Sequence, residues 1–371
     1  MNEFAERIER DFPVRRKEKE KVDFRTWLVY TLKELGYSSK LESGTSALSA
    51  GGNVTNVVVG DIEKAKIVLA AHYDTGVREV LPPLICPTRP ATYMLYEALI
   101  PLLALAVSFL ISFGVTFALN MPNMTLPLFL LLLAVTLFYP KYGKSETNNK
   151  NANTSGVIAL LEVAKALTPR YRGEVCFLFL DGGTQGSKGA KRLIHAHPEL
   201  KKKSVVVLDC VGEGDELLIL PGKASRWNDK LLDTILEQFS NSERKTCFLK
   251  TDGLVHYPSD NRAFMGGTVI CACKKVKGFG RCILPRKIEE IDEENLSLLC
   301  DGLCKLVMYY NPQNTWYLTR PILYVTISAF TVMKRRSKQR FPAQRAFGRC
   351  KKERKRAEIH RGAGARTKVF Q

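Results

Sequence analysis

Lys66-Ile67-Val68-Leu69-Ala70-Ala71-His72-Tyr73-Asp74-Thr75 is the stretch that decides the fold. Its apolar run lacks polar alternation, which is the signature of a strand buried on both faces of a parallel sheet. It closes on a histidine and a carboxylate, and the carboxyl ends of strands are where open α/β sheets place their chemistry. Working outward, strand-like and helix-like segments alternate. Arg16 to Leu35 reads as a helix leading through Gly36 into a Gly/Ser-rich turn, and Val54 to Val59 as a strand. Ser155 to Leu167 reads as a helix with Thr154 or Ser155 as N-cap, and Val175 to Leu180 and Val205 to Leu208 as strands flanking a helical Lys191 to Pro198. Asn228 to Phe239 is a further helix, Thr268 to Cys273 a strand, and Glu293 to Tyr310 a long amphipathic helix. This order implies a three-layer α/β domain with a mostly parallel central sheet.

Two apolar runs interrupt the alternation. Ala98 to Leu119 carries no charge and clears the ~20 residues that span a bilayer, while Leu126 to Tyr139 is shorter and spans if it tilts. Together they read as a transmembrane hairpin joined at Asn120-Met121-Pro122-Asn123. A hairpin returns the chain to the side it left. Arg78, Arg89, Lys141 and Lys144 flank it and its turn is uncharged, so the positive-inside rule places the soluble domain in the cytoplasm, at the cell membrane. The expected organisation is 1–92 and 141–312 as two parts of one domain, 93–140 as the hairpin, and 313–371 as an apolar segment (Pro321 to Met333) followed by a basic tail. Of the net charge of +19, the tail Lys334 to Gln371 holds +13, from fifteen Lys or Arg against two Glu. Such a run is solvated and suits anionic lipid; no aromatic stacking platform accompanies it, which argues against nucleic acid. The ten cysteines form no CxxC pair and fit reduced thiols, with Cys271 and Cys273 in a packed strand and Cys300 and Cys304 on one helix face.

Six segments, in order, bear a more specific pattern: Asn53 to Asp61, the strand into His72-Tyr73-Asp74, Asn153-Thr154-Ser155-Gly156, Phe179-Leu180-Asp181, Leu208-Asp209-Cys210 and Tyr257-Pro258-Ser259-Asp260. On these the chain resembles family twenty-eight of the metallopeptidases, the co-catalytic zinc aminopeptidases, over about Phe12 to Tyr310, and in particular bacterial members with a membrane hairpin after the first metal motif. The resemblance implies zinc as cofactor, a peptide substrate, and hydrolysis of its N-terminal bond by metal-bound water. It further implies His72 and Asp209 as ligands of one zinc, with Asp74 as the carboxylate that orients the imidazole. The bridging aspartate position falls on Ala152, and the Glu-Glu pair, general base then ligand, falls on Gly183 and Thr184. A last histidine is due after Pro285-Arg286, yet no histidine occurs between His256 and His360.

Counting groups, three of five ligands and the base are missing. Two protein ligands hold zinc weakly against the usual three or four. The expectation is therefore a membrane-anchored protein of peptidase fold with impaired or absent catalysis. The alternatives are an active zinc aminopeptidase using His256, Asp260, Glu289 or Glu290 as substitute ligands, and a non-catalytic binding or scaffold protein. His195 and His197, two apart on a helix, are expected at the surface. Gly182 to Gly189 follows a strand and precedes a helix as an anion-binding loop would, but lacks the Gly-Lys-Ser/Thr order of a nucleotide loop. No Gly-x-Ser-x-Gly elbow is present.

Overall fold

In the computed structural model the described residues are 2–310 apart from 46–52, 80–82, 224, 226–228, 240–243, 252–253, 284–287 and 289. The apolar segment Pro321 to Met333 and the basic tail lie outside them.

The all-apolar strand β3 (Ile67–His72) occupies the middle of the sheet, between β4 (Val175–Leu180) and β5 (Ser204–Leu208), parallel to both. Its side chains divide by parity between two cores. Ile67, Leu69 and Ala71 enter one cluster, and Val68 and Ala70 the other. This period of two explains why neither face needed polar residues: both are covered. Helices α1 (Glu3–Asp11), α2 (Glu18–Glu34), α5 (Ser155–Ala166) and α8 (Glu293–Tyr309) contribute to the first core, and α6 (Lys188–Ala196) to the second. The expected three-layer α/β architecture is thus what is observed.

The sheet runs β1-β2-β4-β3-β5-β8-β6-β7, with β9 beside β8. The four central strands β4, β3, β5 and β8 (Thr268–Val276) are mutually parallel. Antiparallel strands sit outside them: β1 (Ser39–Thr45) on β2 (Asn53–Val59), β2 on β4, and β6 (Glu216–Leu220) on β8. Beyond β6 lies β7 (Thr246–Leu249), parallel to it. Sequence patterning misses β1, β6, β7, β9 (Gly280–Cys282) and α1. The first is a polar edge strand, Ser-Lys-Leu-Glu-Ser-Gly-Thr, whose one strand partner is β2 and which reads as a turn. In α1 the charged surface hides three buried positions, Phe4, Ala5 and Ile8.

The two apolar runs are helices α3 (Pro90–Ala118) and α4 (Thr125–Tyr142); the helical spans Pro90–Ala118 and Pro122–Tyr139 are each long and apolar enough to cross a membrane, with mean hydropathy 2.4 and 1.7. The first begins eight residues earlier than expected because Pro90 occupies its first turn, where a missing N–H costs nothing. The buried positions of α3 are Ser108, Ser112 and Thr116, one turn apart, and Thr116 Oγ1 lies 2.7 Å from Thr125 Oγ1. Small residues in that seam let the helices approach closely and leave the large apolar side chains outward.

The feet of the hairpin are built into the sheet domain. Val77 pairs with Ser145, Arg78 N donates to Lys144 O at 2.8 Å, and Tyr139 Oη donates to Arg78 O at 2.8 Å. Ahead of α3, Ile85 pairs with Ile283, next to β9 (Gly280–Cys282).

Candidate functional site

The carboxyl ends of the central strands bring His72, Asp209, Asp74 and Asp260 together. His72 ends β3 and Asp209 follows β5, where its N–H donates to Ile270 O at 3.1 Å. Nδ1 of His72 lies 3.2 Å from Oδ2 of Asp260, an ion-pair distance without hydrogen-bond geometry. Burial opposes a charge on the imidazole, but the carboxylates of Asp260, Asp209 and Asp74 outweigh it and hold its pKa at about 10. Burial likewise raises Asp209 and Asp74, opposed in both cases by the His72 charge. Among the described substitutes, Asp260 is the one that meets His72. His256 instead stacks on Tyr93 with centroids 5.4 Å apart, and Glu290 lines a 610 Å3 cavity whose other walls include Glu9, Glu213 and Lys245. Glu289 and the Pro285-Arg286 stretch lie outside the described residues.

Asp74 was expected to orient the imidazole. Its oxygens instead accept from Gly183 N at 2.7 Å, Thr184 N at 3.1 Å and Thr184 Oγ1 at 2.5 Å. The reason is the turn Gly182-Gly183-Thr184-Gln185-Gly186, whose two end glycines take the left-handed conformation and aim those amides inward. The anion cradled by this glycine-rich loop is therefore the protein's own Asp74, which leaves its Gly183 and Thr184 amides engaged rather than open to a nucleotide phosphate. The loop also closes over His72: a Cβ on Gly183 would sit 2.5 Å from the imidazole Cγ.

Behind the site, Asp181 is fully buried and accepts from Thr55 N and Gly182 N, at 3.0 and 2.8 Å. Its counter-charge is Lys21 of α2, whose ammonium lies 2.9 Å from both carboxylate oxygens. Asn56 of β2 ties the loop down, accepting from Asp181 N at 2.9 Å and donating to Gly189 O at 3.1 Å. Thus the motif aspartate serves the frame.

The Asn153-Thr154-Ser155-Gly156 motif also differs locally from expectation. Neither Thr154 nor Ser155 caps α5 through its side chain, because a π turn, Lys150–Thr154, runs directly into the helix. Ser155 Oγ donates to Asn151 O at 2.5 Å and accepts from Val211 N at 3.0 Å, joining the helix start to the strand end after Asp209. Gly156 is required by contact: a Cβ there would lie 2.5 Å from Leu208 O. Ala152 packs its methyl against the second core, where the bridging carboxylate would stand.

Sequence reading passed over Arg15, fully buried behind His72-Tyr73-Asp74. It donates to Tyr73 O at 2.6 Å, Phe12 O at 2.6 Å, Asn153 O at 3.1 Å and Thr154 Oγ1 at 2.9 Å. Burial lowers its pKa to about 10, against the opposing pull of Asp74 and Tyr73. Nothing in the charged run Arg15-Arg16-Lys17 singles out this one residue. His195 is exposed as expected, but His197 is half-buried, within 3.1 Å of Glu42 and Glu199 carboxylates.

Residues 151–273 match the family model described as Peptidase family M28. The chain carries a segment that matches the M28 peptidase family. The match contains Ala152, Gly183, Thr184 and Asp209, so most of the departures lie inside it. Comparison with curated proteins gives no match. Among solved structures, Porphyromonas gingivalis glutaminyl cyclase is similar at 13% identity, covering 82% of this chain and 96% of that one with a TM-score of 0.51. A Zn-dependent exopeptidase from Parabacteroides distasonis is similar at 11%, covering 82% and 94%, TM-score 0.51. Macrostomum lignano glutaminyl cyclase is similar at 16%, covering 84% and 91%, TM-score 0.50. At these identities the likeness is one of fold.

Zinc, implied by the family, does not fit the residues of this M28 segment. Among the described residues no group of three or more His, Cys, Asp or Glu is placed to hold a metal ion. At the centre of the site one nitrogen of His72 already faces Asp260, the bridging position is a methyl, and the loop that would carry the Glu-Glu pair is hydrogen-bonded to Asp74.

Proposed function

We propose that this is a membrane-anchored protein of the M28 peptidase fold that does not hydrolyse peptides and uses the frame for binding. The observation that carries this reading is the Gly183 backbone lying against His72, where the general base would need a side chain. A glutamate there carries the proton from water to the leaving amine, and no residue of the loop replaces it. Solved neighbours of the fold include both glutaminyl cyclases and an exopeptidase, so the fold itself selects no reaction. The hairpin feet at Val77 and Ser145 border the segments that carry His72 and Ala152, so a ligand would be a peptide presented close to the membrane surface.

The test is zinc stoichiometry and hydrolysis of aminoacyl-nitroanilides by the purified protein. Hydrolysis should be at background and equal to that of His72→Ala. Two tightly bound zinc ions, with turnover lost in His72→Ala, would show that substitute ligands exist. Rebuilding the family residues should not rescue the site. Gly183→Glu, alone or with Ala152→Asp and Thr184→Glu, should destabilise by about 1–3 kcal/mol, because its Cβ drives into the His72 ring. An undiminished thermal midpoint in the Gly183→Glu protein would show that the loop relaxes freely.

The flanking charges favour a cytoplasmic domain, with the basic tail on anionic lipid of the same leaflet. Asn123→Cys should react with an impermeant maleimide in intact cells, while cysteines placed at Asn2 and Lys144 should not. The reverse labelling pattern would overturn this orientation.

A further inference from the structure

Cys86 and Cys282 are separated by 196 positions, so no spacing rule pairs them, yet their sulfurs lie 3.0 Å apart and both residues are buried. The backbone explains the encounter. Ile85 and Ile283 exchange both hydrogen bonds, at 3.2 and 2.9 Å, which makes them a hydrogen-bonded antiparallel pair. The next pair along, Cys86 with Cys282, is therefore a non-hydrogen-bonded pair, where Cα atoms stand about 4.5 Å apart and side chains project to the same side. That separation falls within the about 4.4–6.8 Å range of disulfide-linked residues. Cys300 and Cys304 are one turn apart on α8, where Cβ atoms are about 5–6 Å apart, beyond the roughly 3.5–4.5 Å a disulfide requires.

We propose that Cys86 and Cys282 are a disulfide-forming pair that fastens the foot of the hairpin to the edge of the sheet. Cys86 stands four residues ahead of the first residue of α3, and Cys282 pairs through β9 with Lys274 of β8. The bond would thus fix the entry of the membrane hairpin covalently to the strand beside β5. The co-reactant is a low-molecular-weight disulfide such as glutathione disulfide. One cysteine thiolate attacks it, forming a mixed disulfide and releasing one glutathione. The second thiolate attacks the protein sulfur of that mixed disulfide and releases the other. Two electrons pass to the glutathione sulfurs, and the two thiol protons end on the released glutathiones. Burial, together with the neighbouring Cys86 thiol, pushes the Cys282 thiol up to about 12, so the first attack occurs when the foot segment opens. In a reducing compartment the pair rests as two thiols and forms under disulfide stress.

The full chain, purified in detergent, is incubated to equilibrium with glutathione disulfide at about pH 8, quenched in acid, unfolded, alkylated and digested without reduction. Mass spectrometry should find a Cys86–Cys282 cross-linked peptide as the main product, lost on treatment with dithiothreitol, and the oxidised chain should unfold several degrees higher. Cys86→Ser should give no cross-link and leave Cys282 as thiol or mixed disulfide. Full alkylation of both cysteines in the unmodified chain, a mixed disulfide that persists on either of them, or cross-links distributed among other cysteines would each overturn the pairing.

Discussion

Replacing Lys21 with methionine is expected to lower the stability of the domain by about 3–5 kcal/mol. The Lys21 side chain is 7% exposed and that of Asp181 0%, so solvent cannot take over when the lysine is removed. Asp181 retains the amides of Thr55 and Gly182, but these dipoles do not balance a full charge on a carboxylate that is fully buried. Arg25 stands 4.0 Å away and already bonds Glu18 and Tyr73, which makes it a poor replacement. Denaturant unfolding of Lys21→Met beside the unmodified protein measures the loss. Adding Asp181→Asn should recover part of it, since the orphaned charge is then gone. A change below about 1 kcal/mol in the single variant would mean that water or Arg25 reaches Asp181.

Arg15→Met is expected to cost a comparable amount, about 3 kcal/mol or more, by a different route. No buried carboxylate is stranded; two buried carbonyls, of Tyr73 and Asn153, and the partly buried one of Phe12 lose their donors, at about 1–3 kcal/mol for each buried one before relaxation. Because Arg15 joins the end of β3 to the turn that carries Ala152, the loss should be local as well as global. Amide hydrogen exchange should accelerate at Tyr73 to Thr75, whose Thr75 N–H donates to Arg15 O at 3.0 Å. Arg15→Lys should restore only part, since an ammonium cannot present the planar fork that reaches four acceptors in two directions. Full stability in Arg15→Lys would show that charge alone suffices.

The sheet was legible in the chain because its central strands are short apolar runs, and a strand covered on both faces has no other composition open to it. Ser39 to Thr45 was not legible, since an edge strand borrows its order from the neighbour it pairs with. His72, Asp74 and Asp209 were recognisable as strand-end residues by motif, and the tertiary structure does bring them to one place. Asp260 could be named only as one substitute among four; that it faces His72 follows from the path of a loop some fifty residues beyond β5.

The sequence by itself determined the layer architecture and the two apolar spans, because each is a property of residue type along the chain; the carboxylates a zinc site would lack are what the family resemblance implies. Only the tertiary structure decided where the remaining groups point. Asp74 serves the loop amides, Gly183 lies with its backbone against the His72 ring, and Arg15 and Lys21 stand as buried cations behind the site. The meeting of Cys86 with Cys282 was likewise decided there. Those outcomes depend on contacts between segments tens to hundreds of residues apart, and the free energy of a buried charge or a backbone clash is set by what closes around it.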